Sequence, residues 1–263
     1  MLIVSSRKNF VDADHLASGN EVREIDLLSY RSVNYDVDLS RILAGKKVLI
    51  LVHGYNNDQI EIYDAYDSIE KTISTLLPGK YDYIIGYAWP GGDSGVEWWN
   101  AKEKAEGAAQ LFGELLSSLS CSAIDVMSHS LGAAVTLGGL LQGHTRKLVR
   151  NYFCTAPAVD NESLEPGKKY HNSLSVLEKI FIFHSKKDDV LRKLYTAAEW
   201  DHALGLRGPE HRNFVLTRDG DGVFVANCKR VVTHHSDYKK CLPLYQYMQS
   251  SISGLPAKFV TLH

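Results

Sequence analysis

The run Val48-Leu49-Ile50-Leu51-Val52 contains no polar residue and ends at His53-Gly54. Such a run predicts a strand covered on both faces that feeds a loop. Beyond Asn57-Asp58, a helix-capping pair, Ile62, Tyr66, Ile69, Ile73 and Leu76 recur at steps of four and three, which predicts an amphipathic helix ended by Pro78-Gly79. The alternation then repeats. Tyr83-Ile84-Ile85-Gly86-Tyr87-Ala88 reads as a strand, Ala105, Ala109, Phe112, Leu115 and Leu119 as the inner face of a helix, and Ala123-Ile124-Asp125-Val126-Met127 as the next strand. A first strand is expected in Met1-Leu2-Ile3-Val4-Ser5-Ser6-Arg7, and others at 148–154, 180–183 and 223–225. A closing helix should follow His235 and run towards Tyr247.

Strands alternating with helices imply an α/β fold with a mostly parallel central sheet and helices on both faces. The 263 residues, 44% of them hydrophobic, suffice for one core. A single domain over 1–263 is expected, with an irregular polar excursion at about 196–222. Within it, Asp219-Gly220-Asp221-Gly222 is expected to make a hairpin turn; a calcium loop would need further oxygen ligands.

Charge narrows the function classes. Lysine plus arginine number 29 against 31 acidic residues, a net charge of −2, so no positive field draws the chain to nucleic acid. No stretch approaches the roughly 20 apolar residues of a membrane span, and the amino terminus lacks the layout of a signal peptide. Cys121, Cys154, Cys228 and Cys241 are scattered, without zinc or disulfide-scaffold spacing, which suits a reducing cytoplasm. His202, His211, Asp188 and the pair His234-His235 lack the spacing of a helical metal motif. Neither metal nor cofactor is expected.

The strand ending at Met127 runs into Ser128-His129-Ser130-Leu131-Gly132, and Ala133-Ala134-Val135 begins a helix. This is the layout of a nucleophile elbow, a turn so tight that the positions two before and two after the nucleophile must be small. Ser128 and Gly132 meet that demand. A serine hydroxyl needs a general base, itself held by a carboxylate, to give up its proton. Beyond the strand at 180–183 stand Asp188 and Asp189, and beyond Val231-Val232-Thr233 stand His234 and His235.

These segments, with Leu51-Val52-His53-Gly54-Tyr55-Asn56-Asn57 and Tyr87-Ala88-Trp89-Pro90, resemble the α/β-hydrolase superfamily over about residues 1 to 250. The likeness is greatest to a poorly characterised bacterial branch classed as a domain of unknown function. It implies a chain order of nucleophile, acid, histidine, hence Ser130, Asp188 and His235. His235 is favoured because His-Ser-x-Tyr opens the histidine loop in many members. Asp188 is favoured because an apolar residue, here Val190 or Leu191, usually follows the acid by two or three positions. The resemblance further implies an oxyanion hole built from the backbone N–H groups of Tyr55 and Leu131.

The resulting expectation is a serine hydrolase, of carboxylesterase or lipase-like type, that cleaves an ester or related acyl bond of a small or lipid-like substrate through an acyl-enzyme. The alternatives are an acyltransferase with the same triad and a catalytically silent interaction module. Trp98 and Trp99, beside the Gly-rich stretch after Trp89-Pro90, are expected either to line a flap over the acyl pocket or only to anchor a helix.

Overall fold

The computed structural model describes residues 1–92, 98–142 and 146–263. In chain order it opens with β1 (Leu2–Arg7), β2 (Leu16–Asp26), β3 (Arg31–Asn34) and the short helix α1 (Leu39–Leu43). Then come β4 (Lys47–Val52), α2 (Gln59–Leu76), β5 (Tyr83–Ala88), α3 (Trp98–Ser118), β6 (Ala123–His129), α4 (Gly132–Leu140) and β7 (Val149–Thr155). The last third supplies β8 (Leu177–His184), α5 (Thr196–Glu199), α6 (Leu204–Arg207), β9 (Val223–Asn227), α7 (Leu242–Ser253) and β10 (Phe259–Thr261).

The strands form one sheet in the order β10-β9-β8-β7-β6-β4-β5-β1-β2-β3. It is parallel from β10 through β1, and the β1–β2 and β2–β3 pairs are antiparallel. β4 pairs with both β5 and β6, and Val48 to Val52 are buried, as a strand covered on both faces requires. The step from β4 to β5 runs opposite to the steps from β5 to β6 and from β6 to β7. Right-handed crossovers therefore put α2 on one face and α3 with α4 on the other. The packing agrees, with α3 against α4 and α2 against α7. Helix α2 begins in a capping box, Asp58 accepting from the Glu61 N–H while the Glu61 side chain accepts from the Asp58 N–H.

Three expectations change. The turn at 219–222 does not join a hairpin, because the segment before it, Arg212–Leu216, is a 3₁₀ turn and β9 pairs in parallel with its neighbours. Its glycines serve close approach, since a Cβ at Gly220 would stand 2.2 Å from the Phe214 carbonyl oxygen. Residues 196–222 are less of an excursion than their composition suggests. Leu204, Leu206, Phe214 and Val215 are buried, and the Gly205 carbonyl accepts from the Ser185 N–H. After His235 the chain makes a 3₁₀ turn at Asp237–Lys240 before α7 starts, with Pro243 in its first turn.

Candidate active site

Ser130 sits between the carboxyl end of β6 and the first residue of α4 with φ at +55°, the left-handed region that a serine rarely adopts. The conformation is held by neighbours: the Ser130 N–H donates to the Thr155 carbonyl at 3.0 Å, and its own carbonyl accepts from Ala133 and Ala158. Such strain costs about 1–3 kcal/mol and persists where surrounding structure over-determines it. At Gly132 a Cβ would lie 2.3 Å from the His53 carbonyl oxygen and 2.9 Å from that of Val52, so the second small position admits glycine alone. Ser128 departs from the usual glycine without conflict. Its hydroxyl shares a 2.6 Å hydrogen bond with Tyr152, and its carbonyl accepts from the Thr155 hydroxyl.

The loop after β8 carries Asp188, which is fully buried. One carboxylate oxygen accepts from the Leu191 N–H at 3.0 Å, and the other lies 2.8 Å from His235 Nδ1. A carboxylate oxygen accepts, so the hydrogen belongs on Nδ1, and Nε2 on the far side of the ring offers its lone pair. Asp189 does different work. Its Oδ1 accepts weakly from the His235 backbone N–H at 3.4 Å, and its Oδ2 stands 3.8 Å from Nδ1 of His234, whose side chain is 70% exposed.

Ser130 and His235 border one cavity of about 430 Å³, together with Tyr55, Asn57, His129 and Lys239. Among the described residues no hydrogen bond joins the Ser130 hydroxyl to the His235 ring. His129 braces the histidine from below: its Nε2–H donates to the His235 carbonyl at 2.9 Å, and the two ring centroids are 4.5 Å apart. Burial pulls the His129 pKa well below 6.5, and the nearby charges of His235 and Lys239 pull it further. Burial likewise lowers the Lys239 pKa.

The loop after β4 is fixed from several sides. His53 donates from Nδ1 to the Gly54 carbonyl at 2.7 Å and accepts at Nε2 from the Trp89 N–H at 3.0 Å. The Trp89 indole returns a hydrogen bond to the His53 carbonyl at 2.8 Å. Burial, followed by the Arg7 charge, holds the His53 pKa well below 6.5. Buried Arg7 donates to the carbonyls of Trp89 and Asn57, and the Asn57 amide donates to the Tyr55 carbonyl. A Cβ at Gly54 would lie 2.9 Å from Ser130 Cβ, so this loop passes directly beside the elbow. Leu131 is the N-cap of α4, and among the described residues its N–H meets no acceptor.

The tryptophans divide. Trp89 is fully buried and stacks on His53, while 93–97, the middle of the expected flap, lie outside the described residues. Neither Trp98 nor Trp99 borders the Ser130 cavity. Trp98 stands behind it, edge-on to Tyr55 and Tyr195, with its indole N–H on Glu199 at 2.6 Å. Trp99 is 60% exposed under the Lys102 ammonium. The four cysteines are free, and among the described residues no group of three or more histidine, cysteine or acidic side chains converges as a metal site.

Sequence reasoning passes over Asp237, Arg7 and His129. Asp237 accepts from the N–H groups of Thr233 and His234, both at 2.8 Å, and so shapes the histidine loop. An aspartate three residues after His234 is a local turn signal, and Arg7 is a lone cation closing a buried strand. His129 has no sequence signal that separates it from an elbow's variable position.

The family described as alpha/beta hydrolase of unknown function (DUF900) matches residues 34–203, which takes in Ser130 and Asp188 and ends before His235. No curated protein matches the chain in sequence. Among solved structures, it is similar to a gene product of Listeria innocua at 11% identity, covering 83% of this chain and 99% of that one with a TM-score of 0.49. It is also similar to a Pyrococcus furiosus esterase at 12% identity, covering 80% and 79% with a TM-score of 0.43. A Pyrobaculum calidifontis esterase is similar at 14% identity, covering 80% and 75% with a TM-score of 0.44. The chain belongs to the alpha/beta-hydrolase family of unknown function, DUF900.

Proposed function

We propose that the protein is a serine hydrolase that cleaves a carboxylic ester or related acyl bond, with Ser130 as nucleophile, His235 as general base and acid, and Asp188 as the carboxylate that orients the imidazole. The observation that carries this reading is the 2.8 Å contact between buried Asp188 and His235 Nδ1, on a ring that shares its cavity with a serine held at positive φ. In the first step Ser130 Oγ bonds to the substrate carbonyl carbon while its proton passes to His235 Nε2. The carbonyl oxygen takes up the negative charge and is met by the N–H groups of Leu131 and Tyr55, donors whose removal typically costs about 10²–10³ in rate. Collapse breaks the acyl bond, the leaving group departs with the proton from Nε2, and water, deprotonated by the same nitrogen, releases the acid and restores the serine.

The cavity wall is rich in polar groups, among them Asn57, His129, Lys239 and Ser236. The scattered cysteine spacing suits a cytoplasmic site of action. The test is a series of activated esters of increasing acyl length offered to the wild type and to Ser130→Ala. The wild type should turn over the short members, and the variant should lose about four or more orders of magnitude. Equal turnover by the variant removes Ser130 from the mechanism.

A further inference from the structure

A second cleft, of about 280 Å³, opens where β8, β9 and β10 end, two strands beyond β6. His184, Asn227 and Thr261 close these strands and form its floor, and the segment from Arg207 to Arg212 arches over it. Its wall holds three cations, Lys186, Arg207 and Arg212, and no carboxylate. Among the described residues none of the three is paired with an acid. In a chain with net charge −2 this local excess is not a reflection of composition.

Two further features prepare the cleft for a ligand. The Arg212 guanidinium lies 4.3 Å from the centroid of the Phe259 ring, which fixes its plane before anything binds. His184 is only 6% exposed, yet its Nδ1 has no hydrogen-bond partner. Burial lowers the His184 pKa to about 4, and the charges of Arg212 and Lys186 press it down further, so both cations act on this ring.

We propose that this cleft binds a small multivalent anion, a phosphorylated or polycarboxylic molecule, through Lys186, Arg207 and Arg212. Gathering three like charges is unfavourable until a multivalent anion neutralises them, and two guanidinium groups offer paired donors that match phosphate or carboxylate oxygens. At about 30 Å³ per displaced water, the volume admits an anionic group with an organic part attached.

The test is isothermal calorimetry on the full chain at constant ionic strength, with inorganic phosphate and citrate as probes and chloride as the balancing salt. Saturable one-site binding of either probe to the wild type is expected; phosphate alone would assign the site to phosphoryl groups, and citrate alone to polycarboxylates. Binding should weaken by about tenfold or more in Arg207→Gln/Arg212→Gln, and less in Lys186→Gln. All three side chains are exposed, so thermal unfolding of the variants without ligand should match the wild type. In the wild type, the bound anion should also raise the pH at which the His184 ring titrates by NMR. Absence of saturable binding to the wild type, or equal binding by the double-arginine variant, would overturn the proposal.

Discussion

His235 Nδ1 lies 2.8 Å from a carboxylate oxygen of Asp188, whereas the adjacent Asp189 reaches only the His235 backbone, at 3.4 Å, and the edge of His234. Two neighbouring aspartates are thus separated by what they hold, one a ring and the other a loop. Asp188→Asn should lower kcat by about 10⁴, because an amide can donate to Nδ1 and favour the wrong tautomer. Asp189→Asn keeps an acceptor for the backbone N–H and should stay within a few-fold of the wild type. Steady-state kinetics on one activated ester compares them, and an equal loss in both would return the acid assignment to an open choice.

The two small positions of the elbow should respond in opposite ways. Gly132→Ala drives a methyl into the His53 and Val52 carbonyls, so it should destabilise the fold by about 1–3 kcal/mol or displace the elbow and abolish activity. Ser128→Gly loses only the hydrogen bond to Tyr152, about 1 kcal/mol, and should keep its turnover. Denaturant unfolding together with kinetics reads both effects. A tolerated Gly132→Ala would mean the turn is looser than its contacts indicate.

The central parallel strands were legible because they are buried on both faces and read as apolar runs, as in Leu49-Ile50-Leu51 and Phe181-Ile182-Phe183. The β2–β3 hairpin was not, because its residues are mostly exposed or half-buried, and Gly19-Asn20 inside β2 looks like a turn. β10 is three half-buried residues on an edge, too short for any period to register. The segments proposed as elbow, acid and histidine stand out in the chain because the chemistry proposed for them demands particular residue types next to strand ends. Asp188 and Asp189 differ in burial and ring contact, which residue order alone cannot supply. The braces on the loop after β4 were hidden for a similar reason, since Arg7 and Trp89 reach it across strands distant in sequence.

Trp98 touches the cavity only through Tyr55, so Trp98→Ala should loosen Tyr55 and lower kcat/KM by a few-fold, in keeping with about 1 kcal/mol for an edge-to-face aromatic pair. The loss should be the same for acetyl and longer acyl esters. A loss that grows by up to about 0.8 kcal/mol with each methylene would instead put the indole against the acyl chain. Trp99→Ala, at an exposed ring, should fall within about 0.5 kcal/mol of the wild type in stability.

His53, His129 and His184 are buried neutral rings, with His184 titrating at about 4 and the other two well below 6.5. In the unfolded chain all three take up a proton near the ordinary value of 6.5. Below that pH the unfolded state binds more protons than the native one, so stability is intact above 6.5 and falls as the pH drops towards 4. Each ring contributes up to about 1.4 kcal/mol per pH unit in that window. Urea unfolding at about pH 7.5 and about pH 5.5 should therefore differ by up to about 4 kcal/mol. An unchanged stability would mean that the rings are protonated in the folded state.

The most direct measurement of the central assignment is covalent labelling with a fluorophosphonate, in which a serine oxygen displaces fluoride from phosphorus, followed by intact-mass and peptide mass spectrometry. The expected result is one phosphonyl group per chain, mapped to Ser130, and none on folded Ser130→Ala. Asp188→Asn should label far more slowly than the wild type. A folded wild type that takes up no label, or takes it up at a residue other than Ser130, would contradict the assignment of Ser130 as the activated nucleophile.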